Sequence, residues 1–177
     1  MVCFFLTGFS SCKQKPDNSE TTTQTEVTVS ETEREINQLI LDAYKAISFE
    51  KGSTPDYIAL KSLFTPKATL YNFSGDSLNF YFIDDFIEEF KAGFVAGELN
   101  ASTAFEESEL GGETHYFGKV GHRMSVYATK YNGAEEVGER GINNFQVIKI
   151  NGKWLINSIV SDTEKNGQAI PKRYITD

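Results

Sequence analysis

Residues 117–164 read FGKVGHRMSVYATKYNGAEEVGERGINNFQVIKINGKWLINSIVSDTE, and no other stretch limits the fold as much. Three long extended segments are visible in it, over 120–131, 138–150 and 153–162, with turn chemistry between them. Asn151-Gly152 joins the last two. Both central residues of a type I′ turn need φ > 0, and Asn-Gly is the pair that tolerates it best. Phe117-Gly118-Lys119-Val120 places Gly first, the type II′ pattern, and ties the first segment back to a further strand over 102–116. Four long, successive, antiparallel strands are therefore expected.

The preceding part of the chain is helical with one hairpin. Ser30-Glu31-Thr32-Glu33 fits a capping box, and Ile36, Leu39, Ile40, Ala43, Tyr44 and Ile47 then recur at helical spacing. Gly52 closes that helix. Thr54-Pro55 is expected to open a second, shorter helix that Pro66 stops. Residues 68–73 and 78–82 read as a hairpin joined through Ser74-Gly75-Asp76-Ser77. A third helix follows over 83–94, with Ile83, Phe86, Ile87 and Phe90 on its inward stripe. Asp84, Asp85, Glu88 and Glu89 crowd its first two turns as solvated carboxylates near the positive end of the helix dipole. The fold class this order implies is α+β, with three N-terminal helices packed in a strongly curved antiparallel sheet.

Composition narrows the partners. The 177 residues carry a formal net charge of −8 and no basic stripe, which sets nucleic acid aside as a partner. Fourteen Phe, eight Tyr and one Trp suit a core or pocket walled by large rings. Cys3 and Cys12 are the two cysteines, so residues 31–177 contain neither a disulfide nor a thiolate metal site.

Residues 1–11 read as a signal segment. The apolar run VCFFLTGF is too short to cross a bilayer as a helix but suits a signal-peptide core. Ser10-Ser11-Cys12 after it resembles the lipidation site of a bacterial lipoprotein, in which Cys12 would carry the lipid. Residues 12–30 are polar and rich in Thr, Ser and Glu, the composition of a flexible tether. The chain is therefore expected in the cell envelope, periplasmic or outer-membrane-associated, held to the membrane through an anchor on Cys12.

The globular part, residues 31–177, resembles the nuclear-transport-factor-2-like superfamily in its SnoaL-like branch. The residues that carry this are Leu63-Phe64-Thr65-Pro66-Lys67-Ala68-Thr69-Leu70 between second helix and first strand; Phe117-Gly118 with Ser125-Val126-Tyr127; and Arg140-Gly141-Ile142-Asn143-Asn144-Phe145-Gln146 followed by Asn151-Gly152-Lys153-Trp154-Leu155-Ile156. The resemblance implies a cone-shaped fold whose sheet wraps over the helices and leaves a pocket at its wide end. It also implies that a homodimer through the exposed sheet face is open to the chain. Functions on such a fold are diverse, so the site must decide.

The expected pocket wall is Tyr44, Tyr71, His122, Arg140 and Asn143. Tyr44 lies on the inward helical stripe, and its hydroxyl then needs a partner. His122 shares parity with Val120, Met124 and Val126, the more apolar face of its strand; Asn143 shares parity with Phe145 and Val147. Arg140 turns inward only if a bulge forms near Gly141, and its guanidinium would then suit an acidic ligand group. Glu113, His115 and His122 share one sheet face if the Gly118-Lys119 turn holds and are of metal-ligand type, but a cross-strand histidine pair is the simpler reading and no metal is expected. No cofactor is expected. Asp56 and Asp76 fall at a helix start and a turn, Glu107 and Glu139 fall on strands with either facing open, and none of the four stands out as a general base. An exported domain binding a small apolar or mixed-polarity ligand leads; an isomerase, dehydratase or cyclase type of enzyme, or a dimeric interaction module, remain open.

Overall fold

In the computed structural model residues 29–96 and 102–175 are described; the expected signal segment, Cys12 and nearly all of the expected tether lie outside them. Helix α1 spans Glu31–Ile47, α2 Tyr57–Ser62 and α3 Ile83–Ala96. The strands are β1 Phe64–Ser74, β2 Ser77–Phe82, β3 Phe105–Phe117, β4 Val120–Tyr131, β5 Glu139–Ile150 and β6 Lys153–Thr163. The chain is α+β, with three helices against one curved, unclosed sheet.

Local chemistry accounts for most boundaries. The Ser30 hydroxyl accepts from the Glu33 N–H at 3.1 Å and so caps α1. The cap of α2 is Asp56, which accepts from Ala59 N–H at 2.9 Å, two residues later than the expected Thr54. Asn151 and Gly152 have φ of 50° and 82°, as a type I′ turn requires. Gly118 at φ 58° makes the turn between β3 and β4, whose ends pair Phe117 with Val120.

The six strands are ordered β2-β1-β6-β5-β4-β3. One pairing departs from the all-antiparallel expectation: β1 runs parallel to β6. The β1–β2 hairpin docks on the edge that β6 leaves free. The direction of β1 is set where it leaves α2, because the Ile156 N–H donates to the Leu63 carbonyl at 2.8 Å. Pro66 does not stop the segment but lies inside β1, where the register against β6 shifts between Phe64 and Thr69 and no ladder donor is needed.

Two bulges then decide which side chains face the helices. In β3 the ladder steps from Glu109 opposite Tyr127 to Gly111 opposite Val126, leaving Leu110 as the extra residue. In β6 it steps from Ile156 to Ser158 around Asn157. Alternation reverses across each bulge.

The core lies between α1 and the concave face of the sheet. Ile36, Ile40 and Ile156 are fully buried, and Phe145 nearly so, its ring edge-on to Tyr44. Each such side chain contributes about 1.5–3 kcal/mol by leaving water. On the convex face Val126 and Ala128 are also buried; the turn at Lys172–Tyr174 packs against β3 and β4 there.

Candidate functional site

The core does not fill the wide end of the cone. A cavity of about 580 Å³ remains, bounded by α1, α3 and the concave face of β1 and β3–β6. Leu60, Phe64, Phe86, Phe90, Phe105 and Ile159 give it apolar walls; Tyr44, Glu107, Tyr127, Thr129, Glu139 and Asn143 give it a polar floor. Tyr71, Phe73 and Lys165 line it on the solvent side.

Glu107 comes to that floor because it precedes the Leu110 bulge, where the odd residues of β3 point inward. Its side chain lies on the cavity wall with Tyr44, Thr129, Glu139 and Asn143, largely out of water. This burial raises its pKa from 4.5 to about 7; the hydrogen bond from Asn143 pulls the other way, and the nearby Glu139 charge adds to the rise. A carboxyl poised near neutrality can take or give a proton at physiological pH.

Beside it runs a chain of directed hydrogen bonds. Arg123 grips Glu109 through both carboxylate oxygens, at 2.8 and 3.0 Å, and both side chains are more than nine-tenths buried. The Ser125 hydroxyl donates to Glu109 at 2.5 Å. Since Ser125 has spent its one proton there, its 2.7 Å bond with Tyr44 must be donated by the phenol. The Tyr44 oxygen then accepts from Asn143 Nδ2 at 3.2 Å, and the same amide reaches Glu107 at 3.3 Å. The buried ion pair thus fixes the direction of every proton as far as Glu107.

Tyr127 occupies the other flank and donates to Glu139 at 2.8 Å. Its ring crosses Gly141, its partner on β5, so closely that a Cβ there would lie 2.7 Å from the ring and 2.3 Å from the Asp162 carbonyl. Only glycine fits. Burial pushes the phenols of Tyr44 and Tyr127 well above their ordinary value; the Glu107 charge adds at Tyr44 and the Glu139 bond and charge add at Tyr127, so both stay protonated.

No family model and no curated protein matches the chain. Solved structures do match. A protein of unknown function with a cystatin-like fold from Nostoc punctiforme aligns at a TM-score of 0.60 and 14% identity, over 76% of this chain and 93% of that one. An NTF2-like protein of unknown function from Silicibacter pomeroyi aligns at 0.54 and 20% identity, over 77% and 98%. This is an NTF2-like fold. A candidate scytalone dehydratase from Novosphingobium aromaticivorans aligns at 0.52 and 16% identity, over 73% and 82%.

Within this NTF2-like cone the five expected pocket residues part company. Tyr44 and Asn143 meet at the floor, and Tyr71 lines the cavity from β1. His122 does not reach it. Its strand turns Gly121, Arg123, Ser125, Tyr127 and Thr129 inward, and His122 is exposed on the convex face. Val126, read as an inward marker, is buried on the convex side, apart from the core between α1 and the sheet. Arg140 also stays on the convex side: no bulge forms at Gly141, and its Nε lies 3.4 Å from Glu164 instead.

The metal set falls with His122. His115 does pair with His122, their rings 5.3 Å apart, and Glu113 is 2.9 Å from His115, but all three stand on the convex face. Among the described residues no three His, Cys, Asp or Glu side chains come together to hold a metal ion.

Glu107 is among the carboxylates the sequence offers with its facing open; Glu109, Arg123 and Ser125 carry no signal there that singles them out. Leu110-Gly111-Gly112 was the available signal, since paired glycines inside a strand mark a bulge and a change of facing.

Proposed function

We propose that the chain binds a small, largely apolar ligand in the cone and that Glu107 transfers a proton on it. The observation that carries this is Glu107 itself: a carboxyl on the floor of an aromatic-walled cavity, its pKa raised to about 7. General acid–base catalysis is most effective when the group's pKa lies near the working pH, and it contributes about 10²–10⁴ in rate. Asn143 orients the carboxyl, while Tyr44 holds Asn143. In its charged form Glu107 removes a proton from carbon; in its neutral form it protonates a leaving oxygen. Dehydration uses that pair of steps; double-bond isomerisation uses the same removal and returns the proton to a second carbon. Two solved structures of the same fold are named as a candidate scytalone dehydratase and a candidate aromatic ring hydroxylase, and the acid–base reading here favours the former kind of chemistry.

Nitrobenzisoxazole tests this without knowledge of the natural substrate. A base removes its ring proton, the N–O bond breaks, and a coloured phenolate leaves as the nitrile forms. The protein should open this ring at least a hundredfold faster than acetate at equal concentration. The rate should rise to a plateau through pH 7, and Glu107→Gln should remove it. A rate no better than acetate, or a Glu107→Gln variant as fast as wild type, overturns the proposal and leaves binding without chemistry.

The envelope location belongs to the same proposal, resting on the Ser10-Ser11-Cys12 pattern and the composition of residues 12–30. A palmitate analogue fed to cells should label the wild-type chain and spare Cys12→Ala; equal labelling of both rejects the anchor.

A further inference from the structure

We infer that the ligand's polar end is a protonated amine, received by Glu107 and Glu139 at the cavity floor. This rests on the reading of the cone as a ligand pocket and adds the charge of what enters it.

The balance of charge around the cavity is the first ground. Three acidic or basic side chains line it: Glu107 and Glu139 against Lys165. Lys165 is 64% exposed and 3.2 Å from Glu139, so it answers one carboxylate from the solvent side. With Arg140 on the convex face, no guanidinium looks into the cavity from the described residues. An anionic ligand would enter against its own sign.

The direction of the protons is the second ground. Tyr44 donates to Ser125, Ser125 to Glu109, Tyr127 to Glu139, and the Asn143 amide to Tyr44 and Glu107. These donors are committed to protein acceptors. What the floor offers a ligand is therefore chiefly acceptor capacity, which a group rich in N–H satisfies.

Thr129 places the two carboxylates side by side. It pairs with Glu107 across β3 and β4 and with Glu139 across β4 and β5, and it is 7% exposed. An ammonium has three donors and no acceptor. Glu107 and Glu139, held on either side of Thr129, are two acceptors for it.

The titratable groups around Glu107 are Tyr44 from α1, Tyr127 and Tyr131 from β4, Glu139 from β5, Lys165 from the turn after β6, and Glu109 on its own strand. Among them only Lys165 is cationic. Burial without a closer counter-charge is why Glu107 holds its proton to about pH 7. A cation at its carboxylate supplies what is missing, and its binding must then strengthen as Glu107 ionises.

Three probes with one aromatic body separate the possibilities: naphthylethylamine, naphthylethanol and naphthylpropionate, titrated calorimetrically against the full chain. We expect the amine to bind one to one, about tenfold or more tighter than the alcohol at pH 8, as one desolvated charge-assisted contact warrants, with the propionate weakest. The amine should gain about tenfold in affinity between pH 6 and pH 8, following the ionised fraction of Glu107. Glu107→Gln should abolish both the gain and the preference, which also separates the site from general attraction to an acidic protein. Equal binding of amine and alcohol, or tighter binding of the propionate, overturns the amine assignment while the pocket reading stands. If none of the three binds, both fall together.

Discussion

Arg123→Met should lower the free energy of unfolding by about 3–5 kcal/mol, the cost of leaving one member of a buried ion pair without the other. The guanidinium is held from three directions: Glu109 by two bonds, Asn37 on α1 at 3.0 Å and Thr114 on β3 at 2.8 Å. With Glu109 and Arg123 only 9% and 8% exposed, solvent cannot take over when one is removed. A double variant, Arg123→Met with Glu109→Gln, should recover part of the loss, because the remaining amide needs no counter-charge and can still accept from Ser125. Urea unfolding of the four proteins in the cycle measures this. A loss below about 1 kcal/mol for Arg123→Met is what a solvated surface pair would give, and would mean the floor of the cone is not dry.

Glu107→Gln carries the second large effect, and its sign depends on pH. Between pH 4.5 and about 7 the unfolded chain has released the Glu107 proton while the folded chain keeps it. The folded state then binds more protons, so stability falls as pH rises through that window. Above it the wild type is destabilised by up to about 3 kcal/mol relative to an unshifted carboxyl. Glu107→Gln removes this penalty. The variant should match the wild type near pH 4 and exceed it at pH 8, with urea midpoints diverging in between. Parallel midpoints across the range would place Glu107 in water. A residue that costs stability at the pH where it works is the pattern of a functional group rather than a structural one.

The elements the sequence disclosed are those set by local chemistry. Asn151-Gly152 and Gly118 could be read because positive φ selects those residues, and α1 because its buried side chains repeat at helical spacing. Tyr44 and Asn143 were found the same way, by parity with Ile40 and Phe145. What escaped was set by contacts distant in sequence. The apolar parity of β4 pointed at the wrong face because Val126 and Ala128 are buried on the convex side, while the inward face carries Arg123, Ser125 and Thr129. A polar interior facing a cavity inverts the usual rule of alternation. The facing of Glu107 stayed open because it depends on one extra residue at Leu110. The parallel pairing of β1 with β6 joins segments far apart in the chain, and no short-range signal reports it.

Glutamate carboxyl carbons, isotopically labelled and followed by NMR from pH 3 to pH 9, test the central claim most directly. The resonance absent from Glu107→Gln identifies the residue. It should titrate with a midpoint near pH 7, well apart from the surface glutamates, and move lower when naphthylethylamine is added. A midpoint near 4.5 would show an ordinary, hydrated carboxylate, and the proton-transfer site would be lost with it.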